Sequence, residues 1–189
     1  MNRRSRAVIV IVGLMTVALA PSVSAAAPGY QVQAGDRQAT SELVTWHQPD
    51  AWIRKPHRRW VGKDVYNSDG TNQQRTASTV PGSTVTFRIA LQNDSSEAIA
   101  LRAVQFGSTA IGYDVHYFQG TKDITANLVQ GNFQTPVIQP GDWVIFRAEV
   151  AITASAATNS SVSRLIQVVP VQYFPDSQLD SVRVIVKRI

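Results

Sequence analysis

The segment from Trp52 to Trp60 combines tryptophan with fixed positive charge more densely than the rest of the chain. Its candidate binding residues are Trp52, Arg54, Lys55, His57, Arg58, Arg59 and Trp60. Basic side chains attract polyanions, and indole rings hold cations over their faces. The segment therefore predicts a site for an anionic polymer, such as a teichoic acid, an acidic polysaccharide, a membrane headgroup layer or extracellular DNA. The alternative is that both tryptophans pack into the core while the charges face water.

A second group of side chains carries the oxygen ligands that calcium prefers, namely those of Asp64, Asn67 and Asp69. Aligning the group with an EF-hand loop puts Val65 and Thr76 where the first and last carboxylates belong, so an EF-hand is excluded. A calcium loop of another kind remains a candidate. The favoured interpretation is a turn in which these side chains cap nearby backbone amides.

Recognised catalytic motifs are absent from the sequence. Its three histidines have no metal-ligand spacing, and there is no cysteine, nucleophile elbow or phosphate-binding glycine loop. We therefore predict a non-catalytic chain with no cofactor. The alternative is a small secreted hydrolase or metal-dependent enzyme. It would require two or three of the following residues to converge in one pocket: Asp64, Asp69, Asp114, His116 and Glu149.

The first 25 residues have the features of a cleaved signal peptide. Three arginines precede an uncharged apolar run from Ala7 to Ala20, which Pro21 ends, and small residues follow. The run is shorter than the roughly 20 residues that a membrane-spanning helix needs. Because three of the 18 basic residues and none of the 13 acidic ones precede residue 26, the mature net charge would be only +2. We expect a secreted or wall-associated chain with no transmembrane span and no intracellular nucleic-acid partner.

Strict alternation of apolar and polar residues predicts β-strands in the rest of the chain. The clearest run is 83–93, where Val85, Phe87, Ile89 and Leu91 share one face. Further strands are predicted at 98–106, 112–118, 143–152, 162–174 and 179–187, with a possible short strand at 42–46. Pro170 within one of these runs suggests an edge strand or a bulge. Between 123 and 139 the pattern is irregular, with Ile124, Leu128, Phe133 and Val137–Ile138 as expected core residues.

About seven short strands, separated by Pro-Gly and Asn-Asp turns, indicate an all-β fold. Since no long amphipathic helix is predicted, the strands must cover one another. An antiparallel immunoglobulin-like β-sandwich is the expected packing. We expect it to span residues 48–189, after the signal peptide (1–25) and a flexible leader (26–47).

A series of short motifs supports this fold by resemblance. In order they are Asp50-Ala-Trp-Ile-Arg54, Val61-Gly-Lys-Asp-Val-Tyr-Asn67, Pro81-Gly-Ser-Thr-Val-Thr-Phe87, Gln92-Asn-Asp94, Tyr113-Asp-Val-His-Tyr-Phe118, Asp123-Ile-Thr125 and Gln139-Pro-Gly141. The series resembles an immunoglobulin-like repeat of bacterial secreted and surface proteins, related to the cell-adhesion-related bacterial domains. The resemblance covers about residues 48–189. It implies no catalytic residues, and it favours burial of Trp52 and Trp60.

These observations favour a non-catalytic interaction module that acts outside the cell or at its surface. A cell-envelope polymer or an extracellular protein is the expected partner. An inert structural spacer is a further alternative, although the family that the chain resembles usually occurs in tandem copies and this chain holds one.

Overall fold

The computed structural model describes residues 47–172 and 178–189. Outside the described residues lie the predicted signal peptide, the leader up to residue 46, the possible strand at 42–46 and the last two residues of the strand predicted at 162–174. Within the described part of the chain, no helix is long and apolar enough to cross a bilayer.

Two five-stranded sheets form a β-sandwich. Sheet A contains, in spatial order, β1 (Pro49–Arg54), β3 (Thr84–Asn93), β8 (Trp143–Ile152), β5 (Tyr113–Gln119) and β6 (Lys122–Asp123). Sheet B contains β2 (Gln74–Thr79), β10 (Asp180–Arg188), β9 (Ser161–Pro170), β4 (Leu101–Phe106) and β7 (Phe133–Gln134). One short helix, α1 (Thr125–Val129), lies between β6 and β7. The predicted all-β immunoglobulin-like sandwich is confirmed, with ten strands in the described residues instead of about seven.

Alternating side chains from both sheets fill the core. The largest fully buried ones include Tyr117, Phe87 and Phe146, and the rings of Tyr117 and Phe146 meet edge to face at 6.2 Å. Burying a side chain of this size stabilises the fold by about 1.5–3 kcal/mol. The alternation predicted for 83–93 and 143–152 is therefore the pattern that holds the two sheets together.

The irregular segment at 123–139 contributes the expected core residues with one exception. Ile124, Leu128, Phe133 and Ile138 are buried, whereas Val137 is 62% exposed. The backbone of Ile138 pairs with that of Ile99, which turns Ile138 inward. Since neighbouring residues of an extended chain point to opposite sides, Val137 points outward. The prediction was wrong for Val137.

Two features of sheet topology were not predicted. β2 pairs with β10 in parallel, whereas every other pair of described strands is antiparallel. Pro170 was expected on an edge strand or at a bulge, and this was wrong. It is the last residue of β9, which lies between β10 and β4, and it pairs with Leu101 at the start of β4. At a strand end the missing N–H interrupts the hydrogen-bond ladder less than in the interior.

A buried carboxylate anchors residues 55–73, the long connection from β1 to β2. Asp180 is fully buried, and its oxygens accept hydrogen bonds from the backbone N–H groups of Ala51 (2.6 Å) and Asn67 (3.1 Å). They also accept bonds from Nε2 of Gln73 (2.6 Å) and the backbone N–H of Ser181 (2.7 Å). Burial raises the pKa of Asp180, while these hydrogen bonds act in the opposite direction. One side chain thus fixes β1, the connection and β10 relative to one another.

The same connection closes the free edge of sheet A. Ile53 and Val61 exchange two backbone hydrogen bonds of 2.9 Å on the side of β1 that faces away from β3. Ala51 lies two residues earlier, so its N–H points to the same side, where Asp180 accepts it. An edge strand with satisfied backbone groups is protected against pairing with other chains. The edge of β1 therefore does not offer a docking site for an added strand.

Candidate functional site

The outer face of sheet A brings tryptophans and arginines together. Because β1, β3, β8 and β5 are in antiparallel register, their outward side chains form rows across the sheet. Three successive rows are Asp50–Gln92–Trp143, Trp52–Ala90–Ile145 and Arg54–Arg88–Arg147–Phe118. We call the set formed by Trp52, Trp60, Trp143, Arg54, Arg88, Arg147 and Phe118 the aromatic–basic face.

Trp52 is the centre of a tryptophan cluster on this face. Its ring lies 6.1 Å from that of Trp60 at 68°, and 5.9 Å from that of Trp143 at 39°. Ala90 is the direct cross-strand partner of Trp52, and its small side chain leaves room for the indole to extend across β3 towards Trp143. Trp52 is only 7% exposed and is covered by its neighbours, whereas Trp143 is 53% exposed. Solvent therefore reaches the cluster at Trp143.

Cationic groups lie over the aromatic rings. The guanidinium carbon of Arg54 is 4.4 Å from the ring centre of Trp60, and that of Arg147 is 4.4 Å from the ring centre of Phe118. The ammonium group of Lys63 is 5.0 Å from the ring centre of Trp52. These distances are within the range of cation–π attraction. They hold the basic groups flat against the face.

Positive charge is concentrated in the third row. Arg54, Arg88 and Arg147 are neighbours on adjacent strands, which lie about 4.8 Å apart. Within the described residues, Arg147 has a carboxylate partner in Glu149 at 2.6 Å, while Arg54 and Arg88 have none within salt-bridge distance. Like charges directly opposite each other on a sheet destabilise it. The row is therefore electrostatically suited to an anion.

Two shallow hollows adjoin residues of this face. One of about 160 Å³ is bordered by Arg88, Arg147 and Phe118. The other, of about 410 Å³, lies beside Trp143 and is bordered by the exposed Val137. Both are open to solvent, so the face presents a broad surface with two depressions and no deep cavity.

The carboxylate of Asp50 fixes the indole ring of Trp52 through a hydrogen bond. Its Oδ2 atom accepts hydrogen bonds from the indole N–H of Trp52 and from the backbone N–H of Asp64 (3.0 Å). Its Oδ1 atom and Oε1 of Gln92 are buried and have no hydrogen-bond donor within the described residues. Asp50 and Gln92 are direct cross-strand partners. A proton on Oδ1 of Asp50 would turn this oxygen into a donor, and Oε1 of Gln92 would be available to accept its hydrogen bond.

We predict a pH-dependent stability that originates at Asp50. Burial raises the pKa of this carboxyl from 3.8 to about 6, with smaller contributions from the charges of Asp180 and Asp64. The folded chain thus holds the proton more tightly than the unfolded chain. The free energy of unfolding should fall as the pH rises from about 4 to about 6, by up to about 3 kcal/mol.

Urea unfolding of the wild type and of Asp50→Asn at pH 4, 5, 6 and 7 would measure this dependence. Asp180 has a raised pKa in both proteins, so the difference between the two profiles reports Asp50. The wild type should lose stability relative to the variant over this range. Parallel profiles would contradict the prediction.

The structure separates the residues predicted from the sequence into two groups. Trp52, Arg54 and Trp60 lie on the aromatic–basic face, and Trp52 packs against the outside of sheet A instead of between the sheets. The other four predicted residues belong to the connection that leaves β1. Three of them are exposed, namely His57, Arg58 and Arg59. The fourth is Lys55, whose Nζ donates to the carbonyl oxygen of Thr76 in sheet B. Four of the seven predicted site residues are therefore not part of the face.

Four residues of the face were not among the predicted site residues: Arg88, Phe118, Trp143 and Arg147. The signal for them is in the sequence, since all four occupy the outward positions of alternating strands. An exposed tryptophan at such a position is unusual for a solvated face. What alternation cannot supply is the register that places residues from distant strands in one row.

The residues proposed for calcium form a local turn. Asn67 Oδ1 accepts the backbone N–H of Gly70 at 2.6 Å, and Asp69 accepts both the N–H and the hydroxyl of Thr71 at 2.8 Å. These hydrogen bonds lower the pKa of Asp69. Asp64 faces Lys63 at 3.2 Å. Among the described residues, no group of three or more His, Cys, Asp or Glu side chains is placed to hold a metal ion.

The five residues considered for catalysis fall into two groups, and two of them, Asp114 and His116, border one open cavity of about 320 Å³. Asp64 and Asp69 lie in the connection between β1 and β2, whereas Asp114, His116 and Glu149 lie on the outer face of β5 and β8. His116 and Glu149 are direct cross-strand partners, but Glu149 pairs with Arg147, and His116 lies 3.6 Å from Asp123. The structure thus brings together two of these residues opposite each other, with Asp114 one row away.

Comparisons with known proteins find only distant structural similarity. No protein-family model and no curated protein sequence matches the chain. Similar solved structures include the N-terminal domain of PorA (11% identity, 73% of this chain, 96% of that chain, TM-score 0.39). Others are a PapD-like domain of human CEP192 (9%, 74% and 85%, TM-score 0.37) and the collagen-binding subdomain of the Enterococcus faecalis surface protein ACE (12%, 59% and 93%, TM-score 0.29). Likeness at this level carries no argument about a ligand.

Proposed function

We propose that the chain is a non-catalytic module that binds an anionic polymer through the aromatic–basic face. The observation that carries this proposal is the row of Arg54, Arg88 and Arg147 beside an exposed tryptophan cluster. A structure that tolerates like charges on adjacent strands loses stability by doing so. A bound polyanion would remove that repulsion.

The shape of the face supports a polymer as the ligand. The rows from Trp143 to Arg147 extend about 13 Å along the strands, with one hollow beside Trp143 and the other beside Arg147. An extended chain can cover such a surface with its rings over Trp143 and its acidic groups against the arginines. A small ligand would contact only part of the face.

The proposal of a non-catalytic role rests on how the candidate acids are used. The carboxylates of Asp69 and Glu149 are engaged by Thr71 and Arg147. An arginine side chain has five N–H donors and no acceptor, so the arginines of the face are suited to binding an anion.

The location that we propose is the cell envelope or the extracellular space. It rests on the predicted signal peptide and on the resemblance of residues 48–189 to immunoglobulin-like repeats of bacterial secreted and surface proteins. An acidic wall or capsule polysaccharide would be the accessible anionic polymer there. An extracellular protein with an acidic surface is the alternative partner.

The test compares polygalacturonate with its methyl ester, in which the same sugars lack charge. Binding of the mature chain would be measured by isothermal titration at 50 and 300 mM salt. One variant replaces Arg54, Arg88 and Arg147 with glutamine. The charge-matched control replaces Lys55, Arg58 and Arg59, which lie off the face. Each lost contact with an anion is worth about 0.2–1 kcal/mol, so the loss of three contacts should weaken binding by the first variant about threefold to about 150-fold.

The control variant should bind as the wild type does, and the methyl ester should bind more weakly than the acid. Higher salt should weaken the wild type more than the first variant. Equal losses in both variants would contradict a site on the face. No binding of the acid at either salt concentration would redirect the proposal to a protein partner.

A further inference from the structure

A buried arginine at one end of the sandwich is not used by the aromatic–basic face. Arg164 is on β9, where Val162, Ile166 and Val168 on the same side of the strand are buried in the core. Alternation therefore turns Arg164 inward, and it is only 6% exposed. A guanidinium group in such a place normally has a carboxylate partner, since burying an unpaired charge is costly.

Arg164 has no such partner among the described residues. Its Nη1 atom donates to the backbone carbonyl oxygens of Ser108 (2.6 Å) and Ser163 (3.0 Å), and no described carboxylate lies within 4.0 Å. Nε and Nη2 make no hydrogen bond to the described chain. Arginine therefore retains the two donors that bind a carboxylate side by side.

A second buried donor lies close enough to interact with this charge. The hydroxyl group of Tyr117 is buried and has no hydrogen-bond partner within the described residues. Burial lowers the pKa of Arg164 and raises that of Tyr117, and the two groups interact electrostatically. An acceptor with a negative charge is the group that this environment lacks.

Two open cavities are bordered by Arg164. The first, of about 370 Å³, is bordered by Phe106, Val162, Leu165 and Arg183. The second, of about 320 Å³, is bordered by Asp114, His116 and Val129. Asp114 would repel an anion in the second cavity. Arg183 would attract an anion in the first cavity. Among the described residues, no carboxylate lies within salt-bridge distance of Arg183.

Gly107 borders the first cavity and packs directly against Arg164. Its φ of +131° lies in the region that favours glycine, and a Cβ atom there would lie 2.7 Å from the carbonyl oxygen of Ser163 and 3.3 Å from Nη1 of Arg164. Any larger residue at this position would displace the backbone of Ser163 or the arginine. Glycine thus fixes the position of Arg164 at the edge of the cavity.

We propose that the first cavity is a binding site for a carboxylate that carries an apolar group, with Arg164 holding the carboxylate. Phe106, which is 47% exposed, and Leu165 provide apolar walls for the remainder of the ligand. The planar guanidinium fork matches a carboxylate, and one buried positive charge balances a single negative one. The site shares no residue with the aromatic–basic face, so the two proposals are independent.

The test uses 3-phenylpropanoate and its neutral amide as probes, with backbone amide and arginine Nε–H resonances of the full mature chain as the readout. The acid should shift the signals of Gly107, Ser108 and Arg164 saturably. The amide should bind at least tenfold more weakly. Arg164→Met should weaken the acid at least tenfold, whereas Arg58→Gln, which removes an exposed charge elsewhere, should not.

Equal binding of the acid and the amide, or acid binding that leaves these signals unmoved, would overturn the proposal. Unchanged affinity in Arg164→Met would do the same. If that variant does not fold, the comparison of acid and amide on the wild type decides. Inorganic phosphate should bind more weakly than the acid, and tighter binding would contradict the assignment of a carboxylate.

Discussion

Replacing Asp180 with alanine is expected to lower the free energy of unfolding by about 4 kcal/mol. The buried carboxylate accepts hydrogen bonds from Ala51, Asn67, Gln73 and Ser181, which belong to or adjoin three different segments. Removing it leaves buried donors without an acceptor, at a cost of about 1–3 kcal/mol for each donor that water cannot reach. The connection between β1 and β2 would lose its anchor at the same time.

Urea unfolding at pH 7 would measure this loss. Asp142→Ala is the matched control, because Asp142 is exposed and its side chain accepts no hydrogen bond from the described residues; it should change stability by less than about 0.5 kcal/mol. Asp180→Asn should have an intermediate effect, since one amide oxygen can replace only one of two accepting oxygens. A loss below about 1 kcal/mol in Asp180→Ala would show that the connection is held by other contacts.

Replacing Trp52 with alanine should be similarly severe, at about 3–5 kcal/mol. The indole is nearly buried between Trp60 and Trp143, and its N–H donates to Asp50. Loss of the ring removes two aromatic contacts and leaves the raised-pKa carboxyl of Asp50 without one of its donors. Polymer binding should fall as well, because Trp60 and Trp143 lose the ring that positions them.

Two further variants separate the contributions of Trp52. Trp52→Phe keeps an aromatic ring but loses the hydrogen bond, so it should cost less than Trp52→Ala. Trp143→Ala removes a half-exposed ring and should cost less than about 1.5 kcal/mol of stability while weakening polymer binding about tenfold. Thermal unfolding and titration with polygalacturonate measure the two effects. If Trp143→Ala bound the polymer with wild-type affinity, stacking on Trp143 would not be part of the proposed function.

The sequence predicts the long strands well because their alternation is strict. Trp143–Ile152 was predicted with its observed bounds, and the strand predicted at 83–93 begins one residue later, at Thr84. In contrast, β1 and β2 were not predicted from alternation. β1 contains Asp50, a buried acid at an outward position, and β2 (Gln74–Thr79) is polar and short. The assignment of β2 depends on parallel pairing with β10, which no local pattern indicates.

The aromatic–basic face could be predicted only in part, because it also depends on pairing between strands that are distant in sequence. Trp52, Arg54 and Trp60 are near one another in sequence, and so the cluster was visible there. Arg88 and Arg147 join Arg54 only through the register of β1, β3 and β8, which is a property of the sandwich. Conversely, Arg58 and Arg59 are close to Arg54 in sequence, but the connection that contains Pro56 turns them away from the face.

The central claim is that an anionic polymer lies on the aromatic–basic face. The most direct test is a titration of the mature, ¹⁵N-labelled chain with a galacturonate oligomer, followed through the indole N–H signals of the tryptophans and the Nε–H signals of the arginines. The proposal predicts saturable shifts for Trp60, Trp143, Arg54, Arg88 and Arg147, with Arg58 and Arg59 unaffected. Shifts confined to Arg58 and Arg59, or none at all, would contradict it.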